Sequence, residues 1–148
     1  MREILFRAKT KGYSKPEWVF GYLLRYYNEE DFSENTQNSF FVISNENGYF
    51  KIDENTVCQY TGKKICDEML FEGDIIEIHG DYDDLDGFTK HYTEMEQVVY
   101  DPNECAFVLR PYPDDNSEKH LGFISDLEAD NDDFYIVGNI FDWIGDRK

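Results

Sequence analysis

The chain reads as a mainly β protein, an antiparallel barrel or sandwich, on three observations. Short aromatic and β-branched runs recur along it, each bounded by Gly, Pro, Asn or Asp. Asn47-Gly48 lies between two such runs, the strongest short-range hairpin signal because both residues tolerate positive φ. Apolar residues at helical spacing are scarce.

The elements follow in order. Residues 4–8 alternate weakly and open the domain, and residues 18–24 are aromatic and branched, hence strand-forming. Phe40-Phe41-Val42-Ile43 and Tyr49-Phe50-Lys51-Ile52 flank the Asn47-Gly48 turn, and residues 56–60 make a further short strand. Residues 74–79 form a strand entered through a glycine turn at Gly73. Residues 97–100 and 106–109 flank Asp101-Pro102-Asn103-Glu104, where proline presets φ for a hairpin turn. Residues 134–137 give the last strand, closed by Gly138-Asn139. Nine strands at this spacing favour a barrel or sandwich over βαβ units. Residues 28–35 and 63–70 each have room for a turn or two of helix. Leu121, Ile124 and Leu127 stand at i, i+3, i+6 behind a Ser117 cap, with Gly122 weakening the pattern. Residues 79–87 and 126–133 read as acidic loops.

Composition narrows the classes. A length of 148 residues predicts one domain, enough to bury about 70% of the unfolded chain's surface. The 14 basic and 32 acidic residues give a net charge of −18. Aromatics make up 17% of the chain, which argues against a disordered acidic polypeptide. No apolar run is long enough for a membrane span, and no apolar segment follows the first charges, so a soluble cytoplasmic protein is expected. A chain at −18 is repelled by phosphates and anionic lipid, so neither direct nucleic-acid binding nor membrane binding is expected. The charge is uneven: residues 1–25 hold six basic and two acidic residues, a net of +4, which leaves −22 on the rest.

Cys58, Cys66 and Cys105 form an odd set without C-x-x-C, which fits small buried thiols rather than disulfides or zinc. His79, His91 and His120 have no ligand spacing. Aligning Gly87 with the invariant glycine of a calcium-binding EF-hand loop puts Tyr82 and Thr93 where end carboxylates belong, so residues 79–87 read as a solvated loop. No cofactor is expected.

Five segments in order resemble the YopX family of phage and prophage proteins. They are Arg2-Glu3-Ile4-Leu5-Phe6-Arg7-Ala8, Glu17-Trp18-Val19-Phe20-Gly21-Tyr22, residues 53–62 around Thr56-Val57-Cys58-Gln59-Tyr60-Thr61-Gly62, Phe71-Glu72-Gly73-Asp74-Ile75-Ile76, and Tyr135-Ile136-Val137-Gly138-Asn139-Ile140-Phe141. The resemblance implies a small SH3-like barrel or roll of antiparallel strands on a single domain, 1–148. Residues 79–97 stand out from the family pattern as an acidic, tyrosine-bearing insertion. It implies no reaction, cofactor or catalytic residue. The shared positions are Trp18, Gly21, Gln59, Tyr60, Thr61, Gly62, Glu72, Gly73, Asp74, Gly138 and Asn139. Gly62, Gly73 and Gly138 are expected in turns next to strands, and Gln59, Tyr60 and Thr61 as packing or a recognition ridge. Glu72 and Asp74 stand at i, i+2, a spacing that puts two carboxylates on one strand face for turn capping, a salt bridge or acid–base work.

The leading functional expectation is a non-enzymatic phage accessory protein that acts by protein interaction. Self-association is the favoured form: the +4 segment meets acidic loops of a neighbour, and the surplus aromatics face it. Two alternatives stand beside it, an acidic mimic of DNA directed at a host nucleic-acid enzyme, and a hydrolase using Glu72 and Asp74.

Overall fold

The computed structural model describes residues 3–27, 39–113, 122–127 and 133–143. The chain is mainly β, in two antiparallel sheets, and divides into two compact units, Met1–Tyr60 and Thr61–Lys148. No closed barrel forms among the described residues.

The first unit carries β1 (Phe6–Lys9), β2 (Trp18–Tyr27), β3 (Ser39–Asn45), β4 (Gly48–Lys51) and the start of β5 (Cys58–Ile65), ordered β4-β3-β2-β1-β5. Alternation along each strand sets its faces. Phe6 and Ala8 of β1, Val19 and Leu23 of β2, and Phe41 and Ile43 of β3 turn to one side, where they pack with Ile52 and Val57. The Asn47-Gly48 signal is realised as a tight β3–β4 hairpin in which Asn45 pairs with Gly48. Only the glycine takes a positive φ there. Gly21 is required for a second reason: a Cβ on it would sit 2.2 Å from the Ser44 carbonyl oxygen on β3. Between β4 and β5, Asp53 opens a short 3₁₀ turn, Glu54–Thr56, by accepting the Asn55 N–H at 3.0 Å. The Thr56 hydroxyl oxygen then accepts the Lys9 N–H at 2.8 Å, which ties this turn to β1.

The second unit takes the rest of β5, which pairs with β6 (Glu68–Phe71), and a sheet ordered β10-β9-β8-β7-β11. Its strands are β7 (Asp74–Asp83), β8 (Thr89–Asp101), β9 (Ala106–Pro111), β10 (Gly122–Phe123) and β11 (Phe134–Asn139), followed by one helical turn, α1 (Ile140–Trp143). Ile65, Leu70, Ile76, Val98, Phe107, Leu109 and Ile124 form its core.

Several expectations are corrected. Residues 63–70, expected as helix, form the β5–β6 hairpin. Its loop is Cys66-Asp67, both at left-handed φ (48° and 65°), the geometry that favours Asn-Gly in a two-residue hairpin loop. Neither residue advertises such a turn, which is why the hairpin was illegible. Residues 79–87, expected as an acidic loop, are mostly strand: β7 runs to Asp83 and pairs with β8 from Asp83–Thr89 to Ile75–Gln97. Cross-strand pairs sustain this ribbon without a core. Asp81 contacts His91, and Tyr92 covers Gly80, lying where a glycine Cβ would be. Of the 121–127 helix, Gly122–Phe123 is strand and Ile124–Asp126 a 3₁₀ turn. Ser117, Leu121 and residues 28–35 lie outside the described residues. The thiols also divide: Cys58 is buried, whereas Cys66 and Cys105 are exposed in turns.

Candidate interaction site

The family-motif residues of the second unit turn out to build one junction. Glu72 and Gly73 form the loop between β6 and β7, with Gly73 at φ 83°. The Gly73 N–H donates to Val98 O at 2.8 Å, and Gly73 O accepts the Ile140 N–H at 2.9 Å. The buried Asp74 folds back and accepts the Phe71 N–H on Oδ2 at 2.8 Å. Asp74 pairs with Asn139, whose Oδ1 accepts the N–H groups of Phe141 (2.9 Å) and Asp142 (3.1 Å). Asn139 is thus the cap of α1. Gly138 follows a bulge in the β11–β7 register rather than a turn. Glu72 lies in the loop and Asp74 at the strand's start, so the two do not share a strand face. Asp74 caps a turn and Asn139 caps a helix; both are architectural tasks.

Thr61 and Gly62 are likewise inside β5, not after it. Gly62 takes a φ of 86°, a conformation that favours glycine. Beside it the Thr61 hydroxyl donates to Leu70 O at 2.8 Å while its oxygen accepts the Lys63 N–H at 3.2 Å. Tyr60 is buried, and burial is the main reason its phenol pKa is raised. A packing role for Tyr60 follows. Gln59 is half-buried and pairs with Phe6 across β1.

Three features of the surface carry more chemistry than the motifs. The first is the ribbon tip. Asp84 Oδ1 accepts the N–H groups of Asp86 (3.0 Å) and Phe88 (2.9 Å), and its other oxygen lies 3.4 Å from Lys90 Nζ. The Phe88 N–H is the main reason the Asp84 carboxyl titrates below its ordinary range. This acid-capped turn holds Leu85 fully exposed and Phe88 69% exposed. The second is a cleft of about 330 Å³ in the first unit, lined by Thr10, Tyr13, Ser14, Lys15, Val19 and Phe50 among others.

The third is the face of the first unit's sheet opposite its core. Trp18, Phe20, Tyr22, Leu24 and Tyr26 occupy every even position of β2 and point there together. Tyr26 stacks on Phe40 (ring centroids 5.8 Å) and meets Tyr49 edge-on. Cations sit at the margins of this face. Arg7 and Lys9 lie 4.8 and 5.4 Å from the Trp18 centroid, and Lys51 lies 4.7 Å from that of Phe40. The sequence marks Trp18 as a shared position, Phe20 and Tyr22 as its segment and Arg7 and Lys9 as part of the basic stretch, without bringing them together. The missed signal was that β2 is apolar on both faces and β1 alternates Phe6-Arg7-Ala8-Lys9, so one sheet face is both aromatic and basic.

Two polar groups complete the inventory. Glu77 Oε1 and His79 Nε2 lie 2.6 Å apart on open strand, with Thr93 Oγ1 3.4 Å from His79 Nδ1. A hydroxyl, imidazole and carboxylate in line is a nucleophile's constellation, but His79 stands 44% exposed to water on the strand. Glu96 is 5% exposed beside the core, and desolvation, with Glu94 nearby, pushes its carboxyl up to about 7. No group of three or more His, Cys, Asp or Glu among the described residues is placed to hold a metal ion.

These residues belong to a chain whose family is shown. The family model described as YopX protein matches residues 5–143, nearly the whole length, and the chain belongs to that family. No curated protein and no solved structure matches it. No helix among the described residues is long and apolar enough to cross a membrane.

Proposed function

We propose that the chain is a phage-type accessory protein that works by protein interaction, without catalysis of its own, and that it self-associates through the β7–β8 ribbon. The observation that carries this reading is the ribbon tip, where a turn built by Asp84 displays Leu85 and Phe88 to solvent. An ordered turn that keeps an aliphatic and an aromatic side chain in water is a contact element. The matching surface is the first unit's cleft in a second copy. Its volume admits an aromatic ring, and Lys15 on its wall, opposite in sign to the lining Glu17, complements Asp83, Asp84 and Asp86. Reciprocal insertion closes the assembly, the usual form for a soluble homo-oligomer. The SH3-like character expected of the fold belongs to the same proposal, supported by the β7–β8–β9 meander following the β5–β6 hairpin. The setting implied is the host cytoplasm.

Light scattering at low and high salt tests it. A mass above 17.6 kDa that falls with salt and with Leu85→Ser plus Phe88→Ser is expected. A monomer at every concentration refutes the proposal, and an oligomer indifferent to salt and to Lys15→Glu refutes its electrostatic half.

A further inference from the structure

We propose that a quartet of charges, Lys15 and Glu17 on the cleft of one copy and Asp84 and Lys90 on the ribbon tip of another, fixes the direction in which the tip enters the cleft. This rests on the self-association proposed above and adds to it a cation on the tip and an anion on the cleft. The tip is not uniformly acidic: Lys90 Nζ lies 3.4 Å from Asp84 Oδ2, and its side chain is 56% exposed. The cleft is not uniformly basic: Glu17 lines it together with Lys15, two residues away across Pro16, and both are exposed. Each surface therefore presents a positive and a negative group beside an apolar centre. On the tip that centre is Leu85 and Phe88, and in the cleft it is Tyr13, Val19 and Phe50.

The local geometry holds each charge pair in place. Asp84 Oδ1 is taken up by the Asp86 and Phe88 N–H groups, and its other oxygen, Oδ2, faces Lys90. The Glu17 N–H donates to Thr10 Oγ1 at 3.0 Å, and its carbonyl accepts the Thr10 N–H at 2.9 Å, which pins Glu17 beside the end of β1. Lys90–Asp84 is an exposed ion pair, of a kind that contributes little. Exchanging it for Lys90–Glu17 and Asp84–Lys15 therefore costs little and makes two pairs from one. Two copies at −18 repel each other as wholes, but at physiological salt charges more than about 8 Å apart are largely screened, so the pairs in contact decide the orientation. In the reversed direction of entry Lys15 meets Lys90 and Glu17 meets Asp84. The two directions differ in sign at both pairs, and such like-charge contacts are how a surface rejects the wrong docking.

Sedimentation equilibrium of the full chain and its charge variants tests the quartet through the sign of the effect. Were the contact only an acidic tip against a basic cleft, Lys90→Glu and Glu17→Lys would each tighten association, the first by adding acid to the tip and the second by adding base to the cleft. With the quartet, Lys90→Glu sets a carboxylate against Glu17, and Glu17→Lys sets an ammonium against Lys90. Each single variant is therefore expected to weaken association about fivefold. The double variant Glu17→Lys plus Lys90→Glu restores opposite signs at both pairs and is expected to recover the wild-type association constant or exceed it. That recovery separates the pair from damage to the turn, since a tip loosened by Lys90→Glu would stay loose in the double variant. All the substituted side chains are exposed, so the variants keep their fold, which circular dichroism checks. Tighter or unchanged association of either single variant, or no recovery in the double, overturns the quartet and leaves the self-association standing. A wild-type monomer at every concentration, or an oligomer indifferent to Leu85→Ser plus Phe88→Ser, overturns both.

Discussion

The two units solve the same problem with opposite materials. The first, at net −2, has a small core centred on Ala8, Ile43 and Ile52 and leaves aromatic side chains on its outer sheet face. The second, at net −16, has a core of seven buried apolar residues and spends carboxylates on its turns. Asp74 caps the β6–β7 loop, Asp84 the ribbon tip, and Asp101 the β8–β9 turn, where it accepts the Asn103 N–H at 2.9 Å and lies 3.4 Å from Arg110. Acidity in the second unit is thus partly architectural, because a carboxylate accepts two or more turn N–H groups that would otherwise go unpaired. Composition averaged over the chain hides this division.

The sharpest way to break the comparison is to damage the first unit alone. Gly21→Ala places a methyl 2.2 Å from a backbone oxygen that no rotamer change can move. A loss of about 3 kcal/mol or more is expected, since β2 must part from β3. Urea unfolding followed by Trp18 fluorescence in a Trp143→Phe background, and by hydrogen exchange, checks it. The second unit's core amides should stay protected, and equal loss in both would show a single cooperative unit.

The next effect belongs to the second unit and depends on pH. Glu96 has a folded pKa of about 7, raised from 4.5 chiefly by burial. A raised carboxyl pKa makes the folded state the tighter proton binder. Its stabilising contribution is complete below pH 4.5 and is lost as pH rises through 7. Glu96→Gln removes the buried charge, so it should stabilise by up to about 3 kcal/mol at pH 8 and by nearly nothing at pH 4. Denaturation at the two pH values decides it; an equal gain at both would show that packing rather than ionisation is at work.

These positions also show what was legible. Strand existence was, because aromatic and β-branched runs announce it, and the 101–106 hairpin was, because Pro102 presets the turn. Asp74 and Asn139 were visible as motif residues, but their meeting depends on the β7–β11 pairing, a contact between residues 65 apart in sequence. The ribbon was misread because its residues are polar on both faces and carry no period-2 signal. The aromatic face is hidden for the opposite reason: β2 is apolar on both faces, and alternation cannot say which one is covered.

A smaller effect concerns the hairpin that residues 63–70 concealed. Cys66 and Asp67 both occupy left-handed backbone, which suits Gly best, tolerates Asn and Asp, and disfavours a residue such as Cys66. Replacing the pair with Asn-Gly should stabilise the second unit by about 1 kcal/mol, read as a shift in urea midpoint at constant slope. No gain would mean that the present pair makes compensating contacts.

The smallest effect on global stability separates the ribbon from the unit that bears it. Asp84 holds its turn by accepting the Asp86 and Phe88 N–H groups, and those bonds depend on the carboxylate form, which is why its pKa is lowered. A lowered pKa means that this contribution is present above the ordinary carboxyl range and disappears as pH falls through the folded value. Asp84→Ala should therefore speed exchange of the Asp86 and Phe88 amides at neutral pH, and acidification of the native chain should have the same local result. The core amides of Ile76 and Val98 should not respond, because among the described residues the apolar side chains packed on that core stop at Ile78 on β7. Asp84→Asn retains an acceptor and should restore part of the protection. If Asp84→Ala exposes Ile76 and Val98 as well, the ribbon is continuous with the core in energy as well as in hydrogen bonding. The tip would then be a structural cap rather than a contact element.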